Sequence, residues 1–380
     1  KIINYLHRLG ISTIYAAPIF TAEPGSLHGY DVCNPLAINP ALGDEKMLVE
    51  IRDELHQRQM GWLQDIVPNH MAFSSKNEWL CDLFRYGKKS RFWKIFDIFW
   101  DYFDEQWRGR VMVPFLGNTL YNCIEKGEIK LARAGGEVVV KYYDHEYPVL
   151  DEFQHFSEKE IEQINTQAER LRELLDKQVF RFCHWQITSR EINYRRFFTI
   201  NGLICLRQED PEVFENYHQY LLKLVEQGIF QGLRIDHVDG LLQPKKYLDQ
   251  LSEKAGEGIY LVIEKILEQE EELPAWNIQG TTGYDFLGMV NRLFTHPDSQ
   301  PRLERIFSSF TGESTAYVIQ AFQSKYAILT TRMSGELSNL VHLAFATGAM
   351  PAAAEFEQLK NALAALLAAF PVYRIYSYGE

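Results

Sequence analysis

The stretch Gly232-Leu233-Arg234-Ile235-Asp236-His237-Val238-Asp239-Gly240 decides the fold. It reads as a short buried strand, Gly232 to Asp236, that ends in a carboxylate and runs into a glycine turn. Side chains alternate along a strand, so Arg234 and Asp236 share a face, where the guanidinium orients the acid and favours its charged form. Two other apolar runs end the same way. Trp62 to Val67 carries Asp65 and continues through Pro68 to Asn69 and His70, while Tyr260 to Glu264 ends in an acid followed by Lys265. Polar groups that recur at the C-terminal ends of strands point to a (β/α)8 barrel, whose active sites stand at that face.

Helices and strands alternate around these runs. Residues 1–9 read as a helix stopped by Gly10, Ile11 to Ala17 as a strand, residues 21–43 as a long loop, and Asp44 as the cap of a helix reaching Gln59. Pro211 to Gln227 and Pro244 to Lys254 are helices, Asn277 to Gln279 holds one more short strand, and a helix follows around Phe286 to Phe294. This order predicts a parallel sheet. From Ser74 to Arg207 the alternation breaks, and at about 130 residues the region is too long for a βα loop. Its charged stretch Ser157 to Gln178 reads as helical, as does the tail from Gln300, which is Ala-rich between Ala344 and Ala369.

The expected fold is α/β: an incomplete (β/α)8 TIM barrel, a fragment, with a large subdomain inserted after the third barrel strand and a mostly helical second insertion. The expected segments are 1–73, the N-terminal part of the barrel; 74–207, the inserted subdomain; 208–299, the barrel continuation; and 300–380, the helical insertion. Five strands are too few for eight, and the chain starts at Lys1 inside an amphipathic pattern, so a first strand is expected upstream.

Composition narrows the chemistry. The chain has 380 residues, 46% of them hydrophobic and 24% charged, as in ordinary globular proteins. With 39 basic and 51 acidic residues the net charge is −12, which repels polyphosphate and anionic lipid; nucleic acid and membrane are excluded as partners, and a neutral substrate fits. Cys33, Cys81, Cys123, Cys183 and Cys205 form no CxxC pair and no ligand spacing with histidine, so the expectation is reduced thiols, no metal site and a cytoplasmic location. No organic cofactor is called for.

The strand-end groups suggest a division of labour. Arg234 should lower Asp236, and the apolar run Leu261-Val262-Ile263 should raise Glu264, giving a nucleophile and a proton donor on neighbouring strands. Asp65 could support Arg234, His70 could donate to a sugar hydroxyl, and Tyr30, beside Gly29, offers a ring for stacking. The cluster Asn193-Tyr194-Arg195-Arg196-Phe197-Phe198 is read as core or as a wall of the insertion. Gly280 to Asp285 lacks the GK[ST] ending of a phosphate loop.

At Asp65 to His70, Gly232 to His237 and Glu264 the sequence resembles the α-amylase family of glycoside hydrolases. The strings Pro24 to Val32, Ile38 to Gly43, Glu191 to Phe198, Gly280 to Phe286 and Ala369 to Arg374 are similar to one branch of it, spanning almost the whole chain. That branch is a glucosylmutase. The resemblance implies an intramolecular transglucosylation, by retaining double displacement, that turns the reducing-end α-1,4 bond of a maltooligosaccharide into an α,α-1,1 bond for trehalose biosynthesis. It implies Asp236 as nucleophile, Glu264 as acid/base, and Tyr30, Asp31, Asp65, Asn69, His70, Arg234, His237 and Lys265 as substrate-binding residues, with functional coupling to a trehalose-releasing hydrolase. Thr199 and Asn34 stand where the family carries acids. The family's third carboxylate, in a string resembling GVEDTAFY, does not occur before Glu380, so the chain by itself is expected to be inactive. An α-glucan hydrolase or 4-α-glucanotransferase of the same family, and a non-catalytic carbohydrate-binding fragment, are the alternatives.

Overall fold

Five parallel strands lie side by side in the order in which the chain makes them: β1 (Thr13–Ala16), β2 (Gly61–Ile66), β3 (Gly232–Ile235), β4 (Tyr260–Ile263) and β5 (Gly280–Thr281). Helices stand between or beside them: α1 (Ile3–Arg8), α2 (Glu45–Gln57), α3 (Pro211–Glu226), α4 (Pro244–Ala255) and α5 (Tyr284–Leu293). Sequential parallel strands separated by helices make a TIM-barrel-type fold. This computed structural model describes residues 2–268, 271–312, 316–351 and 353–376; Lys1 and Glu380, the outer limits of the expected segments, lie outside them.

Local chemistry explains the helices. Asp44 accepts from the Met47 N–H at 2.9 Å to open α2, which buries Leu48 and Leu55. Asp210 caps α3 ahead of Pro211, and Phe214, Tyr217, Leu221 and Leu224 recur at helical spacing on the buried face. Phe214, Leu221 and Leu224 pack with the apolar residues of β2, β3 and β4 in one core, while Tyr217 packs into a second.

The second core belongs to the residues between β2 and α3. Its entrance is a short antiparallel pair, His70–Ala72 with Leu203–Cys205. Inside, Val111–Leu116 pairs with Phe180–His184, and a three-stranded meander runs through Ile129–Ala134, Glu137–Tyr142 and His145–Pro148. Trp79, Phe84, Tyr147, Phe180 and Tyr194 fill the middle. Beyond α5 come four helices, Gln300–Thr311, Tyr317–Thr330, Ser334–Ala346 and Phe356–Ala368. A buried ion pair, Arg196 with Glu336 at 2.8 Å, ties the third of them to the second core.

Three expectations are corrected. Residues 21–43 are not all loop: Phe20–Ala22 pairs with Val32–Ile38, because Phe20, Ala22 and Val32 are buried although Gly, Pro and Asn surround them. Ser157 to Gln178 is two helices, Glu158–Asn165 and Ala168–Leu175; the Asn165 side chain bonds both the N–H and the carbonyl of Leu131, which anchors the break. The fifth strand is Gly280–Thr281 rather than 277–279, with Gln279 and Thr282 donating to Leu261 and Ile263 at its ends.

Gly232 lies between Leu63 and Tyr260 in the sheet, and a Cβ there would fall 2.8 Å from the Tyr260 carbonyl oxygen and 2.9 Å from Leu63 Cδ1. Gly232→Ala should therefore destabilise the chain by about 1–3 kcal/mol in urea unfolding. An unchanged midpoint would show that the strands can part at no cost.

Candidate active site

Arg234 lies in the middle strand of the five, opposite Asp65 on β2 and Val262 on β4. Its Nη1 donates to Asp65 Oδ1 at 3.0 Å and to Asp236 Oδ1 at 2.5 Å, and its Nη2 lies 3.6 Å from Glu264 Oε2. One guanidinium thus serves three carboxylates. Asp65 is fully buried and also accepts from the hydroxyls of Tyr15 and Tyr30, both at 2.5 Å. This crowding reverses one expectation. Asp236 is pushed up to about 7, chiefly by burial and with Glu264 and Asp65 adding to it, and the pull of Arg234 does not outweigh them. Glu264 is not in the apolar setting its strand suggested: its side chain is 24% exposed and accepts from the His237 N–H at 2.8 Å.

His237 can make that contact because it adopts a left-handed conformation (φ +47°) just past the end of β3. Gly240 comes so close behind it that a Cβ would fall 2.4 Å from both Asn69 Oδ1 and His237 Cδ2. Arg195 joins the two loops by donating to Asn69 Oδ1 at 2.8 Å and to the Gly240 carbonyl at 2.7 Å. Arg374 donates to the carbonyls of Asp239, Leu241 and Leu242 and holds the same turn from the far end of the chain.

Tyr30, Asp31, His70, Asp236 and Glu264 line one cavity of about 960 Å³. His70 is neutral, its pKa pushed down to about 3 chiefly by burial, and its buried Nε2 has no hydrogen-bond partner among the described residues. Phe197 packs over it at 4.5 Å and meets His237 edge-on at 4.8 Å. Asp31 accepts from Ser26 at 2.6 Å. Asp65, Asn69 and Arg234 lie behind the wall and orient it. Lys265 is turned away: its buried ammonium is 2.8 Å from Glu271 and 3.4 Å from Asp239, and it is absent from the cavity lining. Tyr15 carries no sequence signal, and Arg195 and Arg374 stand in strings read as core, wall or resemblance without a role in the site, because each acts across a chain separation that spacing does not reveal.

The alpha-amylase family model, described as the catalytic domain, matches residues 1–119. A putative maltooligosyl trehalose synthase of Mycobacterium tuberculosis is 32% identical over 312 residues, which is 81% of this chain and 37% of the relative. Among solved structures, the DSM5389 glycosyltrehalose synthase superposes with a TM-score of 0.86 at 33% identity over 100% of this chain. The chain resembles the maltooligosyltrehalose synthases of the α-amylase family. The enzyme of that name from Arthrobacter ramosus gives a TM-score of 0.83 at 33% identity, over 98% of this chain and 45% of its own. The chain spans about half the length, or less, of the relatives it matches; the coverage of the DSM5389 protein is 49%.

The raised Asp236 has a consequence for stability. The folded state keeps, up to about pH 7, a proton that an aspartate with the ordinary value of 3.8 gives up. Folding therefore weakens as pH rises from about 4 to 7, and above that range the loss is complete and no longer changes with pH. Asp236→Asn should remove this contribution, so that its thermal midpoint gains on the wild type between pH 4 and 7. A gap that shrinks over that range would contradict the raised value.

Proposed function

We propose that the protein containing this chain isomerises the reducing end of a maltooligosaccharide, converting its last α-1,4 bond into an α,α-1,1 bond and giving maltooligosyltrehalose. The observation that carries this reading is the pair Asp236 and Glu264, held by the two arms of Arg234 at one cavity wall. Two close carboxylates suit a retaining double displacement. The chemistry needs the proton on Glu264 and the charge on Asp236, beside Arg234.

Glu264 gives its proton to the glycosidic oxygen while Asp236 attacks the anomeric carbon, so the C1–O bond breaks and a glycosyl ester forms. The freed glucose stays in the cavity. Glu264, now a carboxylate, takes the proton from the anomeric hydroxyl of that glucose, whose oxygen displaces Asp236 from the opposite face. Two inversions preserve the α configuration, and the net change is an isomerisation. His70, Phe197 and Tyr30 wall the site. Neither step calls for a metal or an organic cofactor.

In this reading the five strands are part of an eight-stranded barrel, residues 74–207 are an insertion after β2, and the four helices between Gln300 and Ala368 belong to a second insertion. The non-reducing product suits a coupled trehalose-releasing hydrolase. No described helix is long and apolar enough to cross a membrane, and the five cysteines are unpaired; a cytoplasmic enzyme accords with both.

Maltopentaose supplied to the full gene product should lose reducing ends with little free glucose released. Asp236→Asn should abolish that loss, and Glu264→Gln should slow it by about 10²–10⁴-fold. Rising reducing ends with shorter oligomers would favour a hydrolase instead.

A further inference from the structure

Lys265 directly follows the acid/base candidate, yet the proposed chemistry does not use it. Neighbours in an extended chain point to opposite sides, so Glu264 faces the cavity while the Lys265 side chain, with no exposed surface, lies behind it. There its Nζ is 2.8 Å from Glu271 Oε1 and 3.4 Å from Asp239 Oδ2, and neither carboxylate is more than 10% exposed. The other Glu271 oxygen accepts from the Glu268 N–H at 3.1 Å, and the other Asp239 oxygen accepts from the Tyr376 hydroxyl. The Tyr376 ring stands edge-on to Trp276 at 4.8 Å, with the Lys265 ammonium and the Arg374 guanidinium each 5.3 Å from its centre. Two cationic side chains thus stand with two acidic ones in one buried cluster.

Such a cluster is a poor source of stability, because desolvating the charges offsets their attraction and apolar residues of similar volume hold a fold as well. Fixed geometry is what it adds, and its place shows where that is needed. Past β4 the chain leaves the sheet: residues 264–268 and 271–279 belong to no helix or strand. The Glu264 N–H still donates to the Ile235 carbonyl at 2.9 Å, but beyond that bond side chains must hold the segment. Asp239 lies in the turn Val238–Gly240, three residues after Asp236. Glu264 is therefore gripped on two sides. In front its carboxylate accepts from the His237 N–H at 2.8 Å, and behind it Lys265 reaches Asp239 of the same turn.

We propose that Lys265 is a positioning residue: acting through Asp239, Glu271 and Tyr376, it clamps the segment after β4 to the turn after β3 and so places the Glu264 carboxyl where it can protonate the leaving oxygen. Lys265 itself touches no substrate. The inference rests on the proposed function for the acid/base role of Glu264, and it serves a mutase and a hydrolase equally. Arg374 and Tyr376 follow the last helix, Phe356–Ala368, so the helical tail is fastened into the same clamp.

The test compares two substrates on the full gene product. Maltopentaose needs a proton on its leaving oxygen, whereas α-maltotriosyl fluoride does not: Asp236 attacks the anomeric carbon, fluoride departs with the C–F electron pair, and a glycosyl ester forms. Lys265→Met should lower kcat on maltopentaose about 10–100-fold with KM within about twofold, while the first-turnover burst of fluoride keeps its rate within about threefold. Lys265→Arg, which restores the charge, should recover most of kcat. Tyr376→Phe removes only the hydroxyl on Asp239 and should give a smaller loss of the same pattern, which keeps the test decisive if Lys265→Met does not fold. An unchanged kcat on maltopentaose, equal losses on both substrates, or a loss carried by KM would overturn the positioning role. Whether the wild type consumes or creates reducing ends decides the mutase reading separately.

Discussion

A single guanidinium opposed by three carboxylates is the constraint on which the site depends. Arg234 contacts Asp65, Asp236 and Glu264, and no arrangement of one positive charge can neutralise three buried or half-buried negative ones. The local structure shares out the remainder. Asp65 is also hydrogen-bonded by two tyrosine hydroxyls, Glu264 by the His237 N–H, and Asp236 has a raised pKa. A proton that is easily kept and easily moved within the pair is what an acid/base exchange between two carboxylates requires. The parallel register makes this possible, because it puts Arg234 directly across from Asp65 and both at the same end of the sheet.

The rest of the molecule holds that geometry. The aromatic core between β2 and α3 makes that region stiff enough to serve as a wall, and Phe197 leaves it to cover His70. Arg195 fastens the Asn69 loop to the turn after β3, Arg374 holds the same turn from the opposite side, and Arg196 attaches the helical tail through Glu336. Arginine suits these places because its planar fork bonds several fixed carbonyls at once. The result is a cleft lined from both regions.

Much of this was legible in the sequence, for reasons that differ by element. β2, β3 and β4 were visible because each is a short apolar run with a polar end, and α2 and α3 because Asp44 and Pro211 stand at their starts. The nucleophile and acid/base candidates, Asp236 and Glu264, come from those strand ends, as does the support of Arg234 by Asp65. The hairpin Phe20–Ala22 with Val32–Ile38 was hidden because its turn residues resemble a loop. Tyr15 reads as an ordinary strand residue until Asp65 is seen across the sheet from it. The sense of the Asp236 shift was misjudged since sequence shows its neighbour Arg234 but neither its burial nor the sharing of that arginine. Lys265 follows Glu264 in sequence, yet its side chain packs behind the strand.

The most direct test of Asp236 as nucleophile is to trap the glycosyl-enzyme. The full gene product, incubated with a 5-fluoro α-glucosyl fluoride, digested and sequenced by mass spectrometry, should carry the sugar as an ester on Asp236. Labelling of Glu264 or Asp65 instead, or turnover of the reagent through no ester at all, would contradict the assignment of Arg234 and Asp236 as the centre of the reaction.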